Sequence, residues 1–225
     1  MDLLGNRTHM TMAAEQHTLL AGGASAPFTP PDVAGLLIWL KADGLTGLAN
    51  NDPVSSFTDF SGNANHAANT LTKRPLYITN VLNGLPVVRF DGVNDVLLFP
   101  SMAANSFGTA VFVAKSSSTA STKKLLATVA SGTITGIYHG GADTTKWGTR
   151  NGAGSYFYFG DISTSAFQVL STQNGFSSNY TWALGGRDGA DFFPGDLAEF
   201  IIYDSVISAP NLALVQGYLA SKYAL

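Results

Sequence analysis

The chain contains no cysteine. Disulfide bonds, thiol nucleophiles and thiolate metal sites are therefore excluded, although the compartment is left open. Charge is scarce as well: 12% of the 225 residues are Asp, Glu, Lys or Arg, and the net charge is −3. A chain without a basic excess lacks the electrostatic footprint of a nucleic-acid binder. No stretch approaches the ~18 consecutive apolar residues of a membrane-spanning helix. Neither nucleic acid nor membrane is an expected partner. A Gly-x-Ser-x-Gly nucleophile elbow and a Gly-Lys-Ser/Thr phosphate loop are also missing, and the four histidines (His9, His17, His66, His139) have no pairing at zinc-ligand spacing.

Glycine and apolar residues are abundant, with 24 glycines, 45% hydrophobic residues and 11% aromatic residues. A globular chain of this size buries roughly 70–75% of its unfolded surface, enough for one large core. The stretch that organises the sequence is Pro86 to Pro100, PVVRFDGVNDVLLFP. Val87, Val88 and Phe90, then Val96 to Phe99, are two apolar runs of β-forming residues. Asp91-Gly92-Val93-Asn94-Asp95 lies between them as a tight polar corner.

The same grammar recurs from Asp32 onward. Strands are expected at Leu36–Leu40, Val54–Phe60, Arg74–Ile78, Thr109–Ala114, Leu125–Val129, Thr133–His139, Tyr156–Phe159, Phe167–Ser171, Tyr180–Leu184 and Leu197–Tyr203. Asn83-Gly84 is a turn, and Gly140 to Gly154 reads as a turn-rich loop holding Trp147 and Arg150. Trp39 and Trp182, inside apolar strands, are expected in the core. Tyr156 and Tyr158 share one face of their strand and look toward solvent or a partner; Phe157 and Phe159 take the other face and the core. One helix is expected, capped by Ser208, with Pro210 in its first turn, Leu212, Val215 and Leu219 at helical spacing, and an end near Tyr223. Roughly a dozen short strands without βαβ alternation predict an all-β fold, a two-sheet antiparallel jelly-roll sandwich with a short C-terminal helix.

Residues 1–31 differ. They lack strand alternation and end in Ala21-Gly22-Gly23-Ala24-Ser25-Ala26, followed by Pro27, Pro30 and Pro31, which is linker chemistry. Arg7 and Ala24-Ser25-Ala26 have the flavour of a secretion signal, but His9, Glu15, Gln16 and His17 interrupt the apolar centre such a signal needs. The expected domains are an extended N-terminal arm, 1–31, and a sandwich, 32–225. An arm of this composition needs a neighbouring subunit to become ordered, so a homo-oligomer is expected.

Four motifs run in order: Leu37-Ile38-Trp39-Leu40-Lys41-Ala42-Asp43; Phe60-Ser61-Gly62-Asn63-Ala64-Asn65 with His66; Leu82-Asn83-Gly84-Leu85-Pro86-Val87-Val88-Arg89-Phe90-Asp91-Gly92; and Gly195-Asp196-Leu197-Ala198-Glu199-Phe200-Ile201-Ile202-Tyr203 with the helix ending Tyr218-Leu219-Ala220-Ser221-Lys222-Tyr223. Together they resemble the concanavalin A-like, laminin-G-like jelly roll of bacterial and phage surface proteins. The resemblance covers Asp32 to Leu225. It implies a sandwich module with a tendency toward carbohydrate or protein binding, without fixing one function.

Three chemistries are tested on the residues. Glucanases of this sandwich type place acids at i, i+2, i+4 on one strand face. The nearest acids here, Asp196 and Glu199, are three apart and fall on opposite faces of a regular strand, so no catalytic residue and no enzyme is expected. Asp91, Asn94 and Asp95 offer oxygen ligands in one corner, with Asp43, Asp59 and Asn63 in neighbouring ones. That set suits Ca²⁺, against the plainer reading of turn chemistry. No other cofactor is expected. A carbohydrate site would combine an aromatic platform with hydroxyl-bonding groups. Trp147, Arg150, Asn151 and Tyr156 supply these, with Arg187 from Gly185-Gly186-Arg187-Asp188; the plainer reading packs Trp147 over the sandwich edge.

The leading expectation is a non-enzymatic phage virion protein (decoration, fibre-head or tail-associated), anchored to other virion proteins by the arm and able to bind host-surface glycans. The alternative is a secreted or cell-surface bacterial lectin-like domain. A glycoside hydrolase using Glu199 stands third.

Overall fold

The computed structural model describes residues 26–69, 72–100, 106–119, 122–129, 135–140, 142–151, 156–177, 181–187 and 189–225. Residues 1–25 of the expected arm lie outside this set. The strands in chain order are β1 (Leu36–Lys41), β2 (Asp52–Pro53), β3 (Ser56–Phe57), β4 (Ala67–Ala68), β5 (Leu76–Leu82), β6 (Leu85–Asp91), β7 (Leu97–Leu98), β8 (Ser106–Phe107), β9 (Thr109–Ser116), β10 (Lys123–Thr128), β11 (Gly136–His139), β12 (Lys146–Arg150), β13 (Tyr156–Asp161), β14 (Gln168–Thr172), β15 (Phe176–Ser177), β16 (Trp182–Leu184) and β17 (Pro194–Tyr203), followed by helix α1 (Ala209–Tyr223). They form a two-sheet antiparallel sandwich with one terminal helix, the fold class expected. The first sheet runs β14-β9-β17-β6-β5-β2, with β1 also on β17; the second runs β13-β12-β11-β10-β16-β7-β4-β3; β8 and β15 make a small separate ladder.

Strand β17 is the spine of the first sheet. Every residue of it except Pro194 is buried. It pairs with β9 along its length, with β6 at Pro194–Leu197, and with β1 at Glu199–Tyr203. A bulge between Leu197 and Glu199 shifts the register against β9. Leu197, Phe200 and Ile202 therefore enter the core between the sheets with Phe112, Trp147, Trp182 and Phe193. Ala198, Ile201 and Tyr203 join a second core on the outer face. There Val215, Leu219 and Tyr223 of α1 cover Val111, Val113 and Trp39. Apolar layers on both sides explain why β9 reads as a continuous apolar run rather than an alternation.

Helix α1 follows its sequence signals. Ser208 Oγ accepts the Asn211 amide at 3.4 Å, and the chain leaves through Ala224 in the left-handed region (φ 52°). The end of the expected arm is packed on the body: Phe28 meets Tyr218 edge-on at 6.4 Å, and the Pro30 carbonyl accepts from Tyr203 Oη at 2.9 Å.

The Pro86–Pro100 stretch departs from a simple two-strand unit. Asn83-Gly84, with φ of 50° and 84°, does close the β5–β6 hairpin. However, β6 and β7 lie in different sheets, so the polar corner carries the chain across the sandwich. Asp91 Oδ1 winds that corner by accepting the amides of Val93, Asn94 and Asp95 at 2.8, 3.0 and 3.2 Å. Gly92 (φ 73°) is required there, because a Cβ would lie 2.6 Å from that of Pro194. The Phe60–His66 motif is a knot on Asp59, whose carboxylate accepts the amides of Trp39 (2.8 Å), Ser61 (2.9 Å) and Asn65 (2.9 Å). The expected long strand Val54–Phe60 shrinks to β3 because this knot takes over its end. The expected loop Gly140–Gly154 contains strand β12.

Candidate functional site

Strands β11, β12 and β13 form one end of the second sheet. Ile137 pairs with Thr149 and His139 with Trp147, and all four are buried. The alternate positions face outward: Tyr138 opposite Gly148, Gly136 opposite Arg150, then Gly148 opposite Tyr158 and Arg150 opposite Tyr156. Tyr156 and Tyr158 lie two apart on one strand with rings parallel within 4° and 6.1 Å between centroids. Tyr138 meets Tyr156 edge-on at 5.5 Å, and the Arg150 guanidinium sits 5.2 Å from the Tyr156 ring centre. Gly148 makes room for this arrangement, since a Cβ would come within 3.1 Å of Tyr158 Cδ1. Tyr158 Oη accepts the Asp143 amide at 2.8 Å, which fixes its ring.

Tyr138 is fully buried, yet its hydroxyl has no hydrogen-bond partner among the described residues. Burial holds its pKa far above the usual phenol range, so it stays a neutral donor. Next to it, Lys124 pairs across β10 and β11 with Tyr138, and its buried ammonium forms an ion pair with the partly exposed Asp191. Burial lowers the Lys124 pKa, the Asp191 contact opposes that, and the charges of Arg187 and Arg150 lower it further. Arg187 also lies 3.8 Å from Asp191. Two cations, Lys124 and Arg187, thus share the Asp191 carboxylate, while Arg150 lies on Tyr156 and its charge reaches Lys124.

Asn151 is exposed just past β12. It lines an adjoining cavity of about 280 Å³ with Thr149, Arg150, Phe157, Gln173 and Asn174, where the edge strands of the two sheets diverge. Trp147 requires correction as an aromatic platform. It is 0% exposed and packs on Phe112, Phe193 and His139. The reason is that residues 146–150 are a strand, and its alternation aims Trp147 between the sheets. The pair Phe157 and Phe159 is also split: Phe159 packs on Phe112, whereas Phe157 is 51% exposed at the mouth of the cavity. Sequence reading missed Tyr138, Lys124, Asp191 and Gln173. Tyr138 had a signal, the alternation of Gly-Ile-Tyr-His; a buried lysine has none.

The other two chemistries resolve as follows. Asp196 and Glu199 do not fall on opposite faces, because the bulge between them puts both on the outer face. They are engaged separately. Arg89 holds Asp196 with two bonds of 2.6 and 2.9 Å. Glu199 is fully buried and accepts from Trp39 Nε1 (2.6 Å), Lys222 Nζ (2.7 Å) and Tyr223 Oη (2.9 Å). At the Asp91–Asp95 corner the oxygens serve the turn. Asp91 Oδ1 is occupied by three amides, Asp95 Oδ2 accepts the Asp91 amide at 2.8 Å, and Asn94 is exposed. Burial and the neighbouring Asp91 charge push Asp95 up to about 6, while Asp91 stays below the usual range through its amide and Asp95 hydrogen bonds. Asp43 is bonded to Lys222, Asp59 to its knot, and Asn63 to the Leu36 carbonyl. Among the described residues no three His, Asp or Glu side chains group as a metal site.

No family model and no curated protein matches the sequence. Solved structures do share the fold. A Trypanosoma rangeli sialidase in complex with sialic acid is 14% identical, with a TM-score of 0.57 over 84% of this chain and 33% of that one. Domain 4 of AbnA, an extracellular arabinanase from Geobacillus stearothermophilus in complex with arabinotriose, is 14% identical, with a TM-score of 0.54 over 80% of this chain and 96% of that one. The binding domain of Paraclostridial Mosquitocidal Protein 1 is 11% identical, with a TM-score of 0.52 over 86% and 53%. This chain spans about a third of the length of the sialidase it resembles. At these identities the likeness is one of fold.

Proposed function

We propose that the chain is a carbohydrate-binding module without catalytic activity, a concanavalin A-like jelly roll that presents its ligand face on β11, β12 and β13. The observation that carries this reading is the stacked Tyr156–Tyr158 pair. It is braced by Arg150 and backed by a buried Tyr138 hydroxyl with no partner among the described residues. Flat aromatic rings accept the C–H faces of sugars, and guanidinium N–H groups donate to ring hydroxyls. Two of the structural neighbours are described with a bound saccharide, sialic acid in one and arabinotriose in the other, which supports a saccharide as the ligand class. The engagement of Asp196 and Glu199 in fixed ion pairs supports binding without hydrolysis. A place in a virion, with the arm anchoring a homo-oligomer to other virion proteins, rests on residues that lie mainly outside those described. The fold and the neighbours add nothing in its favour, and binding of surface glycans is common to that role and to a secreted lectin-like one.

A glycan array followed by calorimetry on the best ligand tests the reading. Tyr156→Ala and Tyr158→Ala are each expected to weaken binding about tenfold, which corresponds to ~1.4 kcal/mol. Binding that survives both substitutions unchanged would move the site elsewhere.

A further inference from the structure

The outer face of the first sheet carries a hollow of about 360 Å³, lined by Arg89, Lys115, Ser117, Thr164 and Asp196. It lies on the opposite side of the sandwich from the tyrosine pair, and its volume falls in the ~300–1,000 Å³ range of small-ligand sites. Its floor is a cross-strand row in which Asp196 of β17 stands opposite Arg89 of β6 on one side and Lys115 of β9 on the other. Asp196 is 3% exposed and takes both of its short bonds from Arg89, through Nε and one terminal nitrogen. Two of the five guanidinium N–H groups are used in this way, and the Arg89 side chain remains 45% exposed. Lys115 Nζ is 3.9 Å from the same carboxylate and rests 5.0 Å over the Phe167 ring, a distance too long for a direct hydrogen bond to Asp196. One buried carboxylate therefore orients two cations at the rim of a concave surface, leaving the hollow net positive on a chain of net charge −3. An ion pair maintained only for stability requires neither a second cation nor a cavity.

We propose that this hollow is a second binding site and that it takes a carboxylate-bearing sugar, a hexuronate residue of an acidic saccharide. The carboxylate meets Arg89 and Lys115, and the ring hydroxyls meet the hydroxyls of Ser117 and Thr164. Asp196 acts as a positioning residue that holds Arg89 in place.

The test is calorimetric titration of the full chain with trigalacturonate, with neutral galactotriose and acetate as comparison ligands. Trigalacturonate is expected to bind, galactotriose not to bind at this site, and acetate to compete only weakly. Affinity is expected to fall as ionic strength rises past about 0.1 M, where screening takes hold. Lys115→Gln, which keeps the Arg89–Asp196 pair and hence the fold, is expected to weaken trigalacturonate at least tenfold. Combined Tyr156→Ala and Tyr158→Ala should leave it unchanged. Acetate competing as well as trigalacturonate would reduce the hollow to a plain anion site and overturn the proposal. So would an affinity indifferent to Lys115. Loss of trigalacturonate binding in the tyrosine variant would assign that ligand to the other face, overturning this site while leaving the function proposed above intact.

Discussion

His139 makes acid the solvent condition to which this sandwich is most exposed. The imidazole is 0% exposed, both ring nitrogens lack a partner among the described residues, and the ring centres of Trp147 and Phe193 each lie 5.8 Å from it. Burial, with a smaller contribution from the Lys123 charge, lowers its pKa from 6.5 to about 4. A depressed histidine pKa means that the folded state binds fewer protons than the unfolded state between these values. Stability is therefore complete above pH 6.5 and falls as pH drops toward 4. At pH 4.5 the loss from this single group works out at about 2.5 kcal/mol, or roughly 5–10 °C in Tm for a chain of this size. Asp95 acts in the opposite direction. Its pKa is raised to about 6, so its contribution is present below the ordinary carboxylate pKa and is lost as pH rises through 6. The wild-type pH profile is the sum of the two, and the histidine part is isolated by substitution. His139→Leu removes the titrating group and leaves no polar atom in the same apolar setting. Urea denaturation at pH 7.5 and 4.5 should give a change between the two pH values that is smaller by about 2.5 kcal/mol in the variant than in the wild type. Equal changes in the two proteins would refute the reasoning, because His139 would then be free to titrate normally in the fold.

Three further outcomes are expected. Glu199→Ala removes the acceptor of three buried or half-buried donors and leaves Lys222 with Asp43 as its carboxylate partner, so urea denaturation should show a loss of about 3–5 kcal/mol. Gly148→Ala places a methyl 3.1 Å from the Tyr158 ring and should cost about 1–3 kcal/mol in thermal unfolding while weakening glycan binding, because the stacked pair must shift. Ca²⁺ or EGTA should leave the Tm unchanged, since Asp91 Oδ1 and Asp95 Oδ2 are committed to backbone amides; a rise in Tm with Ca²⁺ would support the calcium reading of Asp91, Asn94 and Asp95.

The fold class was legible because it is written in local chemistry. Asn83-Gly84 needs two positive φ angles, Ser208 caps a helix start, and the apolar runs are strand-length. Sheet membership was not legible, as the Asp91–Asp95 corner illustrates: a tight polar turn looks the same whether the next strand pairs with the last or crosses to the other sheet. The site was half legible. Arg150 and Tyr156 meet across β12 and β13, whereas Arg187 is held by Asp191, a partner that the sequence did not point to. Trp147 was misplaced because the five glycines of 140–154 resemble loop chemistry, whereas Gly148 is there to admit a tyrosine ring from the next strand. That reason depends on register, which only the assembled sheet supplies.

The bulge at Ala198 has a consequence for how this chain can change over time. In a regular strand, odd and even positions belong to opposite faces throughout. In β17 the rule inverts midway: Leu197 looks into the sandwich, and so do Phe200 and Ile202. The strand therefore has two phases joined by one supernumerary residue. Loss of that residue would merge the two phases into one regular alternation, with Leu197, Phe200 and Ile202 still inward and Asp196 and Glu199 still outward, whereas loss or gain of a residue elsewhere in the strand would turn one part of it over. Point substitutions in β17 can accumulate one at a time, but its length can vary by a single residue only at the bulge.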